Sequence, residues 1–176
     1  MRRREEMASP NILDLVQNAR AGNLKSFNEL VLIYQDMAYN IAYRMLNDQR
    51  AAGTATQKAF LSAYRSLSTF YGGSFRAWLL CILIQACHDE LCFHKSHSST
   101  SIIKRYFVGM EGLKLDNKVQ LLLSCLSPDD RVILVMIDVW GMDYAEVAEV
   151  TGRPTGAIRS RVALARKSLH DLLVVG

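Results

Sequence analysis

The sequence has few of the residues that interrupt helices. It contains 3 prolines and 10 glycines among 176 residues, while half of its residues are hydrophobic and 22% are charged. That balance excludes a disordered chain and is typical of a globular protein large enough for one domain or two small ones. Leu, Ala, Val, Ile and Met recur at intervals of three and four residues, which predicts an all-α fold.

Long apolar runs are missing as well. The longest apolar block, residues 77–84, is far shorter than the roughly 20 residues that cross a bilayer, so we expect no membrane insertion. The N-terminal MRRREEMASPNILDLV has basic residues with no apolar run behind them, which is not a secretory signal pattern. No catalytic triad or phosphate-binding loop is recognisable, so the sequence predicts neither an enzyme nor a cofactor.

The four cysteines form no recognisable disulfide framework. In a helical chain this predicts reduced thiols and a cytoplasmic location. An alternative is a metal or redox sensor built from a cluster of thiols and imidazoles near the middle of the chain: Cys81, Cys87, His88, Cys92, His94 and His97. His88 and Cys92 would share a helix face, but the spacing matches no familiar zinc pattern, and we predict no metal site.

The N-terminal half predicts four helices. The first begins with Ser9 as N-cap and Pro10 in the first turn, and it ends before Gly22. A second, with an apolar stripe, extends to about Leu46, and a third covers about residues 51–67.

After a Tyr-Gly-Gly break at residues 71–73, Ser74 caps the fourth predicted helix, residues 75 to about 93. This helix is apolar nearly all round in its first half, so we expect it at the centre of a bundle. Residues 95–117 lose the periodicity and predict a linker, with a short helix around residues 102–108.

The C-terminal half has clearer start and stop signals. Ser127-Pro128-Asp129-Asp130 predicts an N-cap followed by a first turn, and Asp143 with Glu146 predicts a capping box. The turn at residues 151–153 precedes a last helix that opens at Pro154 or Thr155. Two helices joined by a short turn with glycine predict a helix-turn-helix.

The last helix has two different faces. Its apolar stripe is expected to pack inward and consists of Ile158, Val162, Ala165 and Leu169. Its opposite face is small or basic and consists of Gly156, Arg159, Ser160, Ala163, Arg166 and Lys167. The net charge is only +4, but residues 153–176 carry five Lys or Arg against one acid. A basic face of this kind suits DNA phosphates and guanine edges, although a solvated helix face is the alternative.

Residues 143–161, together with residues 126–131, closely resemble region four of the extracytoplasmic-function sigma factors of bacterial RNA polymerase. Parts of the N-terminal half resemble region two of the same family: residues 14–16, 21–23, 26–27, 60–61 and 74–79. Both sets of motifs occur in the family's order.

The resemblance implies three segments. Residues 9–94 would be region two, which binds the polymerase clamp and the minus-ten element, and residues 95–117 the linker. Residues 118–176 would be region four, which binds the minus-thirty-five element. The implied partners are core RNA polymerase, promoter DNA and an anti-sigma protein, and the chain is expected to be monomeric when free.

The resemblance also implies site residues. Polymerase binding falls on the third helix, at Gln57, Lys58, Phe60, Leu61 and Tyr64. Capture of the unpaired strand falls on Phe70, Tyr71 and Gln85, where the two aromatics either stack on bases or pack under the loop. Recognition of duplex DNA falls on the last helix, at Thr155, Gly156, Arg159, Ser160, Arg161, Arg166 and Lys167.

One departure from the family concerns the third helix. The family has several acids at its start, whereas residues 51–58 have none and end in Lys58. From the sequence we therefore expect Lys58→Glu to tighten polymerase binding. Two alternatives remain: a helix-turn-helix regulator that never binds polymerase, and a sigma-derived interaction module that does not initiate transcription.

Overall fold

The computed structural model describes residues 11–94 and 115–174, and every regular element within them is helical, as predicted. The elements are α1 (Ile12–Arg20), α2 (Leu24–Leu46), α3 (Gln49–Ser66), a short 3-10 turn (Leu67–Thr69), α4 (Phe75–His94), α5 (Leu115–Ser124), α6 (Pro128–Asp138), α7 (Tyr144–Thr151) and α8 (Thr155–Val174).

Helix α1 begins two residues later than predicted. Its N-cap is Asn11, whose side chain accepts a 3.1 Å hydrogen bond from the backbone N–H of Leu13. The predicted cap, Ser9, lies outside the described residues. Asn is as good an N-cap as Ser, and the prediction chose Ser9 because Pro10 follows it. The predicted start of the helix was therefore wrong by two residues.

Helix α4 is the centre of the N-terminal bundle, as its apolar composition predicts. Leu79, Leu80 and Leu83 are fully buried, and α4 packs against both α2 and α3. The break before α4 is confirmed too, because Gly72 and Gly73 have φ angles of 116° and 86°, where a side chain would strain the backbone.

Helix α5 was missed by the sequence interpretation. It begins at Leu115, inside the segment predicted to be a linker. The helix has only ten residues, and its first turn carries polar residues. Hydrophobic periodicity alone therefore did not reveal it. The short helix predicted around residues 102–108 lies outside the described residues.

The C-terminal helices and the N-terminal bundle share one hydrophobic core. Helix α6 packs on α2, and α7 packs on α4. Ile41 and Leu83 from the first half belong to the same buried cluster as Ile133 and Val147 from the second. The two halves therefore lie against each other in this structure, which decides how each candidate surface is exposed.

Candidate nucleic-acid interface

The helix-turn-helix of α7 and α8 forms as its sequence signals predict. Asp143 caps α7 by accepting 2.8 Å hydrogen bonds from the N–H groups of Ala145 and Glu146. The Glu146 side chain reaches back to the Asp143 N–H, which completes the capping box. Gly152, with a φ of 64°, ends α7 in the left-handed conformation that favours glycine, and α8 starts at Thr155.

The two faces of α8 are also confirmed. Ile158, Val162 and Ala165 are buried, and Leu169 is half-buried. The opposite face is exposed along its length: Gly156, Arg159, Ser160, Ala163, Arg166 and Lys167. We call this exposed face the recognition face. Nothing lies within 4 Å of a Cβ built on Gly156, so a groove wall could approach the backbone there.

Three arginines near the recognition face are bound to acids of α6. Arg153 contacts Asp129 at 2.7 Å, and Arg161 contacts Asp130 at 2.6 Å. Arg166 contacts Asp138. Arg161 is half-buried, and its bond helps to hold α8 on α6. Two of the predicted DNA-binding residues, Arg161 and Arg166, thus have a structural partner inside the protein.

The Arg161 contact changes the acid–base behaviour of its partner. Partial burial alone would raise the pKa of the Asp130 carboxyl, but hydrogen bonds from Arg161 and Ser127 outweigh it and hold the pKa below its ordinary value. Asp130 is therefore a carboxylate at neutral pH, and the ion pair is formed.

Arg159 is placed differently from these three. It is exposed one turn into α8, and its Cζ atom lies 5.5 Å from the centre of the Tyr144 ring. Among residues 11–94 and 115–174 it has no carboxylate within ion-pair distance. Its guanidinium is thus available to an outside partner. No local pattern in the sequence predicts the Tyr144 contact, because the two residues are fifteen positions apart on different helices.

The remaining predicted residues of α8 lie at the same end or further along the face. Thr155 is half-buried at the helix start, and the Ser160 hydroxyl donates a 3.1 Å hydrogen bond to the carbonyl of Gly156. Lys167 is exposed near the far end of the face. Together with Arg159 and the bare backbone at Gly156, these side chains form a basic surface of mostly small residues. Such a surface can approach DNA closely.

The two aromatics of the 70–76 loop have different environments. Phe70 is only 4% exposed and packs against Phe75 and Trp78, with ring centres 5.7 and 5.4 Å away. Stacking of Phe70 on a base was therefore the wrong alternative, because its ring completes the core under the loop. Tyr71 is 91% exposed and can stack on an unpaired base.

The C-terminal half packs against part of the face of α4 behind this loop. Arg76 is ion-paired with Glu146 of α7, and the Cys81 thiol lies 3.4 Å from the carbonyl of Val150. Gln85, predicted to contact the strand, donates to Asp89 at 3.1 Å and lines a small cavity between α4 and the C-terminal half. Helix α7 therefore lies close to Gln85, whose side chain is nevertheless exposed.

Four of the five predicted polymerase-binding residues of α3 border an apolar groove between α2 and α3. The groove has a volume of about 630 Å³, and its walls include Gln57, Phe60, Leu61 and Tyr64 from α3, and Leu24, Phe27 and Val31 from α2. Leu24, Leu61 and Tyr64 are exposed large side chains. We call this surface the α2–α3 groove.

Lys58 does not line this groove. Its Nζ lies 2.5 Å from a carboxylate oxygen of Glu90, a buried residue of α4. The sequence interpretation treated Lys58 as a bare positive charge at the docking helix. The structure corrects this, because an acid of the same protein already compensates that charge.

Within the described part of the chain, no group of three His, Cys, Asp or Glu side chains is arranged to hold a metal ion. Cys87 is buried, and its burial, with the nearby Glu90, raises the pKa of the thiol to about 12. His97 lies outside the described residues.

None of the described helices is long and apolar enough to cross a membrane.

Comparison with known proteins gives matches over both halves. The family model described as Sigma-70 region 2 matches residues 30–95, and the one described as Sigma-70, region 4 matches residues 116–169. The chain is similar to the RNA polymerase sigma-H factor of Pseudomonas aeruginosa, with 28% identity over 177 residues that cover 90% of this chain and 92% of the relative.

A second relative is the ECF RNA polymerase sigma factor SigM of Mycobacterium tuberculosis. It is 30% identical over 156 residues, which cover 87% of this chain and 80% of the relative. Among solved structures, the sigma factor RpoE in complex with the anti-sigma factor NepR from Bartonella quintana has a TM-score of 0.70. The identity there is 22%, over 86% of this chain and 99% of the other, so the likeness is one of fold.

Proposed function

The chain belongs to the extracytoplasmic-function sigma factors of RNA polymerase, and from this premise we propose which of its surfaces bind polymerase and promoter DNA. It is an alternative sigma factor, with region-two and region-four matches in the family's order. We further propose that it acts in the cytoplasm, where the polymerase is, and has no catalytic activity of its own. The proposed segments are region two at residues 9–94, the linker at 95–117 and region four at 118–176.

The α2–α3 groove is the proposed docking site for core polymerase. The observation that carries this assignment is the row of exposed apolar side chains on both walls, because an exposed apolar groove on a protein of this size marks a binding surface. The predicted contact residues Gln57, Phe60, Leu61 and Tyr64 lie on one wall. Lys58 is the exception, since it faces Glu90.

A pair of leucine variants tests the groove. Leu61 is 57% exposed in the groove, and Leu13 is 53% exposed on α1, outside it. Neither substitution by Asp buries a charge in the core. Leu61→Asp should weaken binding to core polymerase at least about tenfold, which is about 1.4 kcal/mol, while Leu13→Asp should leave it unchanged. Equal affinity for both variants would place the docking site elsewhere.

The recognition face of α8 is the proposed contact with the upstream promoter element. Its small residues allow close approach, and Arg159 supplies donors that suit guanine. Arg161 and Arg166 are proposed to reach phosphates, Arg166 from its exposed pair with Asp138 and Arg161 from a half-buried pair with Asp130.

Tyr71 and Gln85 are the proposed contacts with the unpaired strand. Tyr71 is already exposed, whereas the surface around Gln85 and Arg76 is bordered by α7. Gln85 is itself exposed, but the neighbouring Arg76 is paired with Glu146 of α7, so movement of α7 away from α4 would widen this face. We propose that the two halves separate when the chain binds polymerase and DNA, and that an anti-sigma protein is a further partner. The latter rests on the relative that was solved with one.

One observation favours the alternative of a sigma-derived module that does not initiate transcription. Residues 51–58 lack the acids of the family, and Lys58 is engaged by Glu90. The experiment that separates the two functions is transcription by core polymerase with and without the purified chain. Binding to core without new transcript starts would favour the interaction module.

A further inference from the structure

Tyr144 on α7 lies against an arginine of the recognition face. The Cζ atom of Arg159 lies 5.5 Å from the centre of the Tyr144 ring. A side chain of the first helix of the motif thus contacts a cation of the second.

The contact between the Tyr144 ring and Arg159 differs in kind from the contacts that Arg153, Arg161 and Arg166 make with carboxylates. A carboxylate accepts hydrogen bonds from the guanidinium and neutralises it. An aromatic face attracts the cation while leaving its N–H donors available. Arg159, which has no carboxylate partner in the described ranges, is therefore held in place with its donors still directed to solvent.

The Tyr144 ring is itself well anchored. It is the first residue of α7, directly after the Asp143 cap, and it is half-buried against the shared hydrophobic core. Its position is thus set by the same capping box that starts the helix. A fixed ring restricts the rotamers of the arginine that rests on it, so less side-chain freedom is lost when Arg159 binds.

We propose that Tyr144 is a positioning residue for DNA recognition, whose ring holds the Arg159 guanidinium in the orientation that reads one guanine of the upstream promoter element. This inference rests on the proposed function of α8. It assigns to α7 a direct share in base specificity, through an arginine of the neighbouring helix. Arg is the side chain that pairs bidentately with the major-groove edge of guanine, and that pairing depends on the orientation of its planar fork.

The test uses the full chain bound to core polymerase. Wild-type holoenzyme first selects binding sites from a pool of duplex DNA that is randomised in the upstream element. The selected duplex then serves as the probe for wild type, Tyr144→Leu, Tyr144→Phe, Arg159→Ala and the double variant Tyr144→Leu/Arg159→Ala. Thermal unfolding of each free chain is measured in parallel, and Tyr144→Met provides a second variant without the ring if Tyr144→Leu does not fold.

Tyr144→Leu should weaken binding to the selected duplex about two- to fivefold, the range of an exposed cation–π contact. A repeated selection should show a lost guanine preference at a single position. Tyr144→Phe keeps the ring and should bind like wild type. In the Arg159→Ala background, Tyr144→Leu should have no further effect.

Two results would overturn the inference while the proposed function stands. One is an equal loss from Tyr144→Leu with and without Arg159, and the other is a loss of preference spread over all positions of the element. Either would mean that Tyr144 acts only through the stability of the fold. A wild-type holoenzyme that selects no sequence would instead overturn the proposed function, and this inference with it.

Discussion

Arg131 of α6 donates a 2.9 Å hydrogen bond from Nη1 to the backbone carbonyl of Met45, near the end of α2 and 86 residues earlier in the chain. The same guanidinium also donates to the carbonyls of Arg44, Leu123, Ser124 and Leu126. Arg131 is 6% exposed. Because the last carbonyls of a helix have no partner within it, one buried side chain here completes the ends of α2 and α5 and joins them to α6.

Arg131→Met should lower the free energy of unfolding by about 2–4 kcal/mol, because several buried carbonyls lose their donor at once. Urea denaturation measures the change. The matched control is Arg50→Met on the exposed start of α3, which should stay within about 0.5 kcal/mol of wild type. A similar small change for Arg131→Met would show that water replaces the guanidinium at little cost.

The Asp130–Arg161 pair should make stability depend on pH in the acid range. The folded-state pKa of Asp130 is lowered, so its contribution is present above the ordinary carboxyl pKa and is lost as pH falls through the lowered value. Asp130→Asn should therefore be less stable than wild type at pH 7, by up to about 1 kcal/mol for this partly exposed pair. The difference should shrink as pH falls below about 4, near the ordinary pKa of a carboxyl group. Urea titrations at several pH values would show this, and a difference that stays constant with pH would contradict it.

Lys58→Glu is expected to destabilise the N-terminal bundle. The substitution removes the 2.5 Å contact with buried Glu90 and places a second carboxylate beside it. The free energy of unfolding should fall by about 1.5–3 kcal/mol, the size of a hydrogen bond to a charged group. Lys58→Gln keeps a hydrogen-bond donor for Glu90, so its free energy of unfolding should lie between those of wild type and Lys58→Glu. If Lys58→Glu is as stable as wild type and binds core polymerase more tightly, the contact with Glu90 is unimportant and the sequence-based expectation holds.

Local signals in the sequence predicted the helices that begin with a clear capping residue. Ser127 caps α6, Asp143 and Glu146 form the capping box of α7, and α4 starts directly after Ser74. Each of these signals acts within four residues, where the chemistry of an N–H donor and a side-chain acceptor is decided by sequence neighbours. The inward and outward faces of α8 follow in the same way from helical periodicity.

Contacts between distant residues could not be predicted in this way. Periodicity placed Arg161 on α8 but did not show that Asp130, 31 residues earlier, would bind it. The burial of Phe70 depends on Phe75 and Trp78 closing over it, and the approach of α7 to α4 depends on the packing of the two halves. These features result from tertiary structure, and they determine which predicted site residues are exposed.

The most direct test of the account is transcription with purified components. Full-length chain and core RNA polymerase are mixed at low salt, passed over a size-exclusion column, and the complex is given genomic DNA of the encoding organism. We expect co-elution, and sequencing of the transcripts should show a set of start sites that core polymerase alone does not produce. The absence of a complex at low salt, or the same start sites with and without the chain, would contradict the assignment of this chain as an initiating sigma factor.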